Sequence, residues 1–155
     1  MIIADGDGNR RIVADANGNV GIGSENLTHA HKLTVSGTIG LEGNPAIHPD
    51  YVFESYFEGS SAFNKAYRLP SLSEVETFVK ENKHLPGVQS RAEVEKAGAW
   101  NVSENVRTNL EKVEELYLHT IAQEKEIEAL KAENAHYEKT MKSILERLEL
   151  LEDKK

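Results

Sequence analysis

The first candidate for metal chemistry is the motif Asp5-x-Asp7-x-Asn9. Its carboxylate and amide spacing resembles the opening of a calcium-binding loop, whose ligands alternate in this way. Arg10, however, stands where that loop needs glycine, and Ala16 stands where it needs a bidentate glutamate. We therefore interpret the motif as a turn.

The second candidate is His29-x-His31. Side chains two residues apart on a strand point the same way, so six imidazoles from three chains could meet on an axis and hold an octahedral transition metal. The alternative, which we favour, is that His29 and His31 are ordinary polar residues in a loop that enters a strand. Apart from this metal, the sequence predicts no cofactor.

Catalytic motifs are scarce. The chain has no cysteine, no Gly-rich phosphate loop, no Gly-x-Ser-x-Gly elbow and no His-Glu-x-x-His pair. His84 and Ser90 are close in sequence but lack an orienting acid. A glycan-active enzyme would need two placed carboxylates, and the acids fall mostly on solvated helical faces. We predict that the protein is not an enzyme.

Composition excludes other classes. The chain has 155 residues and a net charge of −8, which argues against a nucleic-acid binder because such proteins need a basic face. No apolar run approaches the length of about 20 residues that a membrane helix needs. The start, Met1–Asp7, lacks the charged and apolar regions of a signal peptide, so we expect none.

Charge and composition divide the chain into three predicted segments. Residues 1–48 form a Gly-rich β shaft or attachment segment, residues 49–103 a small mixed helical knob, and residues 104–155 a coiled-coil oligomerisation helix. The last segment has 13 acidic and 9 basic residues and neither Gly nor Pro. The predicted fold class is α+β and elongated, with a trimeric β-prism-like start and a parallel coiled coil at the end.

The first segment contains a short repeat. Residues 4–13 align with residues 14–23 in the pattern Ala-Asp-x-(Asp/Asn)-Gly-Asn-x-x-Ile. Asp-Gly and Asn-Gly favour tight turns, and we predict strands at Arg11–Val13, Val20–Ile22 and Lys32–Ile39. Strands this short cannot bury a core alone, so other chains or a neighbouring domain must cover them, and three chains close a prism more readily than two.

The middle segment predicts a turn at Pro49 followed by an extended aromatic stretch at Tyr51–Phe53. Seven of the nine Phe and Tyr residues lie between positions 51 and 78. We interpret this clustering as a small core, with sugar stacking as the alternative. Trp100 is expected to be a packing anchor.

Capping signals predict the helix limits in the same segment. Ser71 with Glu74 and Ser90 with Glu93 are capping boxes. The first of these helices should end near 82–84 and the second at Gly98. Asn101 or Ser103 should cap the last helix.

The strongest pattern is a heptad seam in the last segment. Spacings of three and four residues predict the a and d positions of a coiled coil. The predicted oligomerisation residues are Val113, Leu116, Ile127, Leu130, Asn134, Tyr137, Met141, Ile144, Leu148 and Leu151.

Three questions about the seam stay open. A competing stripe of Leu110, Val113, Tyr117 and Ile121 suggests a change of phase near residue 121. The helix could instead fold back onto its own middle segment. Asn134 at an a position favours a dimer, whereas the N-terminal repeat favours a trimer.

Several motifs together resemble tail-fibre-domain proteins of phage tail fibres and related bacterial fibres. The resemblance spans about residues 17–130 and is carried by Gly18–Gly23, His31–Ile39, Asp50–Phe53, Tyr67–Glu76, Glu81–Val88 and Val113–Leu118. It implies a homotrimeric fibre or spike with a C-terminal assembly domain. Related fibres often carry a self-cleaving Ser-Asp-x-Arg-x-Lys motif, but residues 41–49 lack that serine and lysine. We therefore predict no autoproteolysis.

The resemblance leads to a functional expectation. The protein would be a structural fibre or spike on the surface of a virion or phage-tail-like particle, and it would mediate attachment to a host cell-surface receptor or glycan. The N-terminal segment would join a virion or baseplate protein. The receptor-binding residues are unknown, with the aromatic and His84–Val88 surfaces as the first choice. The alternative is a bacterial cell-surface adhesin or assembly protein with a coiled-coil oligomerisation domain.

Overall fold

The computed structural model describes residues 1–24, 26–27, 31–40 and 48–153. The chain divides into two compact units, Met1–Asn44 and Pro45–Lys155. The fold is α+β, with a mixed four-stranded sheet in the first unit and a long C-terminal helix in the second. The elements are β1 (Ile2–Ala4), β2 (Arg10–Ala14), β3 (Val20–Ile22), β4 (Leu33–Val35), α1 (Tyr51–Glu58), α2 (Leu72–Asn82), α3 (Arg91–Ala97) and α4 (Val102–Glu152).

The first unit is a sheet in the order β1-β2-β3-β4. β1 pairs with β2 and β2 with β3 in antiparallel fashion, whereas β3 and β4 are parallel. Ile12 lies opposite Ile22, and Ile22 lies opposite Val35. The sheet is therefore short in every strand and mixed in direction.

The two repeated turns have the same structure, as predicted. Asp5 Oδ1 and Asp15 Oδ1 each accept the backbone N–H four residues further on, at 2.9 and 2.8 Å. The glycine of each turn takes the left-handed conformation, with φ of 83° at Gly8 and 75° at Gly18. In the first turn the Asp5 carboxylate also forms an ion pair with Arg11, so the Asp5 oxygens are engaged by groups of the turn and of β2.

β4 is shorter than the predicted strand over 32–39. Its partner β3 ends at Ile22, whose carbonyl accepts the N–H of Ser36 at 2.9 Å. No further backbone of β3 faces Gly37, which turns away with φ of 125°. The alternation of apolar and polar residues predicted a strand as far as residue 39, but β4 ends at Val35 because its partner β3 ends at Ile22.

The sheet has almost no core of its own. Among the described residues of this unit only Gly21 is buried, and a side chain there would collide with the Ser24 carbonyl. Ile2, Ile3 and Leu33 are about half exposed. The sheet therefore presents apolar side chains that nothing described in this unit covers.

In the second unit, the prediction of an extended stretch at 51–53 is wrong, because these residues begin helix α1. The strand preference of aromatic residues depends on a neighbouring strand to pack against, and the described part of this unit has none. The helix instead buries Tyr51 and Val52. Gly59, in the left-handed conformation, ends it.

The capping predictions are confirmed. Ser71 and Ser90 both form complete capping boxes, which start α2 and α3. Lys83, with φ of 65°, ends α2, and Gly98 ends α3. Of the two candidates for α4, Asn101 is the cap, because its side chain accepts the N–H of Glu104 at 3.2 Å.

The core of the second unit is small. Tyr51, Val52 and Leu118 are buried, with Tyr67 packed against them, and the two tyrosine rings meet edge to face at 5.1 Å. The predicted aromatic core is otherwise wrong: Phe53, Tyr56, Phe57 and Phe63 are 37–79% exposed because the elements that carry them turn these rings away from α4. Trp100 is half exposed and does not anchor the packing.

Candidate functional site

Helix α4 has two different faces along its first turns. One face packs against the rest of the second unit, and its buried residues are mostly polar: Asn105, Thr108, Glu114, Glu115 and Leu118. At about 1.5 Å per residue, the 51 residues of α4 extend about 77 Å. Every described residue from Thr120 onward is exposed, so only the first third of the helix has partners in its own chain.

A buried charged cluster fixes the covered face of α4. Lys112 lies at its centre, with Nζ 2.9 Å from Glu111 Oε1 and 2.9 Å from Glu115 Oε1. Tyr67 donates its hydroxyl to Glu115 Oε1 at 3.1 Å. The loop after α1 is therefore held to α4 by the Tyr67 hydroxyl, and the two ion pairs of Lys112 fix the Glu111 and Glu115 carboxylates within α4.

Tyr51 completes the cluster from the start of α1. Its hydroxyl donates to Glu111 Oε2 and accepts from Arg107 Nη1 at 3.2 Å. Burial and the Glu111 carboxylate raise the pKa of Tyr51 to about 12. Burial and Glu115 also raise the pKa of Tyr67. Both phenols consequently stay protonated as hydrogen-bond donors.

The ion pairs of the cluster remain charged despite burial. Burial by itself would raise the pKa of Glu111, but hydrogen bonds from Tyr51 and Lys112 outweigh it and hold the pKa below its usual value. Burial would lower the pKa of Lys112, but bonds to Glu115 and Glu111 raise it. Each charged group of this cluster therefore has a partner, and the role of the cluster is to hold the middle segment against α4.

The predicted heptad seam lies away from this cluster. Its nine apolar members are 44–63% exposed: Val113, Leu116, Ile127, Leu130, Tyr137, Met141, Ile144, Leu148 and Leu151. Asn134 is exposed as well. The alternative that α4 folds its seam back onto its own middle segment does not describe most of the seam: Val113 and Leu116 lie beside residues of α2, but the apolar seam residues from Ile127 onward are exposed.

The competing stripe is exposed too. Leu110, Tyr117 and Ile121 are 38–62% exposed. α4 is a continuous helix through residue 121, so the second stripe does not mark a break in the helix.

An apolar groove borders the seam where α2 lies beside α4. It has a volume of about 270 Å³. Leu72, Val75 and Leu85 form one wall, and Val113 and Leu116 belong to the other. Two predicted seam residues thus also line a groove made with the middle segment.

The predicted metal and catalytic residues find little support. His29 lies outside the described residues, and no group of three or more metal-ligating side chains occurs among the described ones. The His29 and His31 site stays a prediction, which metal analysis of untagged protein tests. Ser90 Oγ donates to Glu93 Oε2 at 2.8 Å, so this hydroxyl serves the helix cap.

The surface suggested for receptor binding is structured around His84. The His84 ring meets Phe78 edge to face at 5.3 Å, and Leu85 is 44% exposed. Leu85 also lines the groove beside α4. The segment is therefore apolar and accessible, although a receptor for it stays a prediction.

Comparison with known proteins identifies no relative: no family model, no curated protein and no solved structure matches this chain. None of the described helices has an apolar stretch that could cross a membrane. Function must therefore be inferred from the chain's own residues, above all from the uncovered seam of α4.

Proposed function

We propose that this protein is a structural fibre or spike subunit whose α4 helices associate into a parallel three-stranded coiled coil. The observation that carries the proposal is the uncovered apolar seam. The chain covers the polar face of α4 and leaves nine apolar seam residues at 44–63% exposure. A single chain therefore packs against the polar face of α4 and leaves the apolar seam uncovered.

The length of unsupported helix strengthens the argument. Helices in water gain most of their stability from the packing of an apolar face, and every described residue of α4 from Thr120 onward is exposed. Covering each half-exposed seam residue contributes about 1 kcal/mol. Identical helices in register supply that cover at every heptad, because the a and d residues of one meet those of the next.

The N-terminal sheet supports three chains. Among its described residues only Gly21 is buried, and Ile2, Ile3 and Ile22 are 42–54% exposed. Short strands of this kind need additional layers to become stable. Three copies around one axis would supply them and would agree with three parallel α4 helices.

In this proposal the function is attachment. The N-terminal sheet joins a virion or phage-tail-like particle, the middle segment is displayed as a knob toward a host receptor or glycan, and the coil holds the chains together. The net charge of −8 suits a displayed, soluble surface. The work is mechanical and needs no turnover.

Light scattering of the purified protein tests the proposal. We expect a particle of three times 17.3 kDa. A dimer, with a mass of two times 17.3 kDa, would keep self-association and overturn the trimer. A monomer at micromolar concentration would overturn the fibre proposal altogether.

A further inference from the structure

The groove between α2 and α4 lies on one defined flank of the heptad seam. With Val113 at a and Leu116 at d, Lys112 and His119 fall at g positions. Both of these residues line the groove. The middle segment therefore builds an apolar wall beside the g side of α4.

The opposite flank of α4 is apolar over the same heptads. Leu110 and Tyr117 are e positions, and they are 38% and 62% exposed. Position e in coiled coils usually carries charge. Beyond the groove this holds at Glu124, Lys131, Glu138 and Glu152, with Leu145 as the exception. The apolar e positions occur mainly at the level of the middle segment.

A parallel coil brings these two flanks together. The g residue of one helix faces the e residue five positions further along its neighbour. Lys112 would then face Tyr117 of the next chain. The same register pairs opposite charges, Glu126 with Lys131 and Arg147 with Glu152.

One pair in this register is unfavourable by sign. Glu133 at g would face Glu138 at e of the next chain. In the single chain Glu133 accepts a hydrogen bond from the Tyr137 hydroxyl at 2.6 Å. Two attractive pairs against one repulsive pair favour the parallel, in-register arrangement.

We propose that the groove of each chain receives Tyr117 from the α4 helix of a second copy. The middle segment is then a collar that grips the neighbouring chain, in addition to being a displayed knob. This inference rests on the proposed function, because it needs a parallel coil. It also explains the overlapping stripes of α4: one belongs to the seam and the other to the neighbour's groove.

The chemistry of the groove suits a tyrosine. Leu72, Val75 and Leu85 offer an apolar surface to the ring, and His119, which also lines the groove, offers a hydrogen-bond partner to the hydroxyl. A tyrosine buries a large apolar area while its hydroxyl keeps a polar partner.

Cysteine trapping tests the inference, because the chain has no cysteine of its own. We expect a Leu85→Cys, Tyr117→Cys double variant to form covalent links between chains on mild oxidation or with a short bis-maleimide. In a ring of three, most chains should then migrate as covalent trimers on a denaturing, non-reducing gel. The matched control pairs Leu85→Cys with Lys125→Cys, an f position on the outer side of the coil, and should link far less.

A separate variant keeps the two proposals distinguishable. Ile144→Cys, at a d position, should link neighbouring chains in any parallel, in-register coil. If Ile144→Cys links but the Leu85 and Tyr117 pair does not, or links only within one chain, the collar is overturned and the coil stands. If Ile144→Cys fails to link, both proposals are overturned.

Discussion

Glu114 is the least satisfied charge in the described part of the second unit. Its Oε2 is buried without a hydrogen-bond partner. Burial, followed by the nearby Asp50 and Glu111 carboxylates, raises the pKa of Glu114 above its ordinary 4.5. The folded chain therefore holds this proton more tightly than the unfolded chain. Stability should fall as the pH rises from 4.5 through the raised pKa.

Glu114→Gln should consequently stabilise the protein at pH 7, because the substitution removes a buried charge that has too few partners. We expect the free energy of unfolding to rise by about 1 kcal/mol at pH 7. The gain should vanish below about pH 4, where Glu114 of the natural chain is protonated. Urea denaturation at fixed protein concentration at both pH values measures the difference.

Glu128→Gln provides the control for this substitution. Glu128 is exposed and lies at a b position outside the seam, so its loss should leave stability nearly unchanged at both pH values. A Glu114→Gln variant that is less stable at pH 7 would show that the carboxylate has partners that the single chain lacks.

At the scale of elements, α4 separates packing within the chain from packing between chains. The Tyr51, Tyr67 and Lys112 cluster holds the middle segment to one face. Val113 and Leu116 of the seam border the groove with α2, whereas the apolar seam residues from Ile127 onward are 44–63% exposed. A substitution in this later part of the seam should therefore affect association without damaging the fold of the middle segment.

Leu148→Asp should dissociate the oligomer, because it places a charge at an a position of the coil. We expect sedimentation or light scattering to show smaller particles, with at least a tenfold weaker association. Leu150→Asp is the matched control, since Leu150 lies at c, carries the same side chain and is 62% exposed. Equal effects of the two variants would contradict the assigned seam.

At the scale of the whole molecule, stability and chain concentration should be linked. The described residues of α4 from Thr120 onward have no cover in their own chain. Their helicity then depends on neighbouring copies, and association stabilises the folded state by mass action.

The melting temperature should therefore rise with protein concentration. Circular dichroism at 222 nm over a hundredfold concentration range measures both the melting temperature and the helix content. We expect helix content to fall at the dilute end, as α4 frays beyond residue 120. A melting temperature independent of concentration would indicate that α4 is stable as a lone helix.

Local sequence signals predicted much of this fold. The two Asp-based turns and the capping boxes at Ser71 and Ser90 were predictable, and the cap of α4 was narrowed to Asn101 or Ser103, because each depends on residues within about four positions. The length of α4 was predictable because no glycine or proline interrupts it. None of these features depends on residues that are far away in the sequence.

Nonlocal packing accounts for the failures. Tyr51–Phe53 has a strand-like composition, but burial against α4 made it helical. Phe57 and Phe63 were predicted to belong to a small aromatic core, but both side chains are exposed in the structure. The charged cluster was missed, although Asn105, Thr108, Lys112 and Glu115 follow a helical spacing opposite the apolar stripe. Polar residues at this spacing are also typical of a solvated helical face.

The sequence by itself determined that α4 exists, where it begins to within two residues and which residues form its apolar stripe, because helical periodicity and capping are local properties. Only the tertiary structure decided which face of α4 the chain covers for itself. That choice depends on Tyr51 and Tyr67 reaching Glu111 and Glu115, which lie 48 to 60 residues away. Contacts over such separations follow from three-dimensional packing, and no local pattern encodes them.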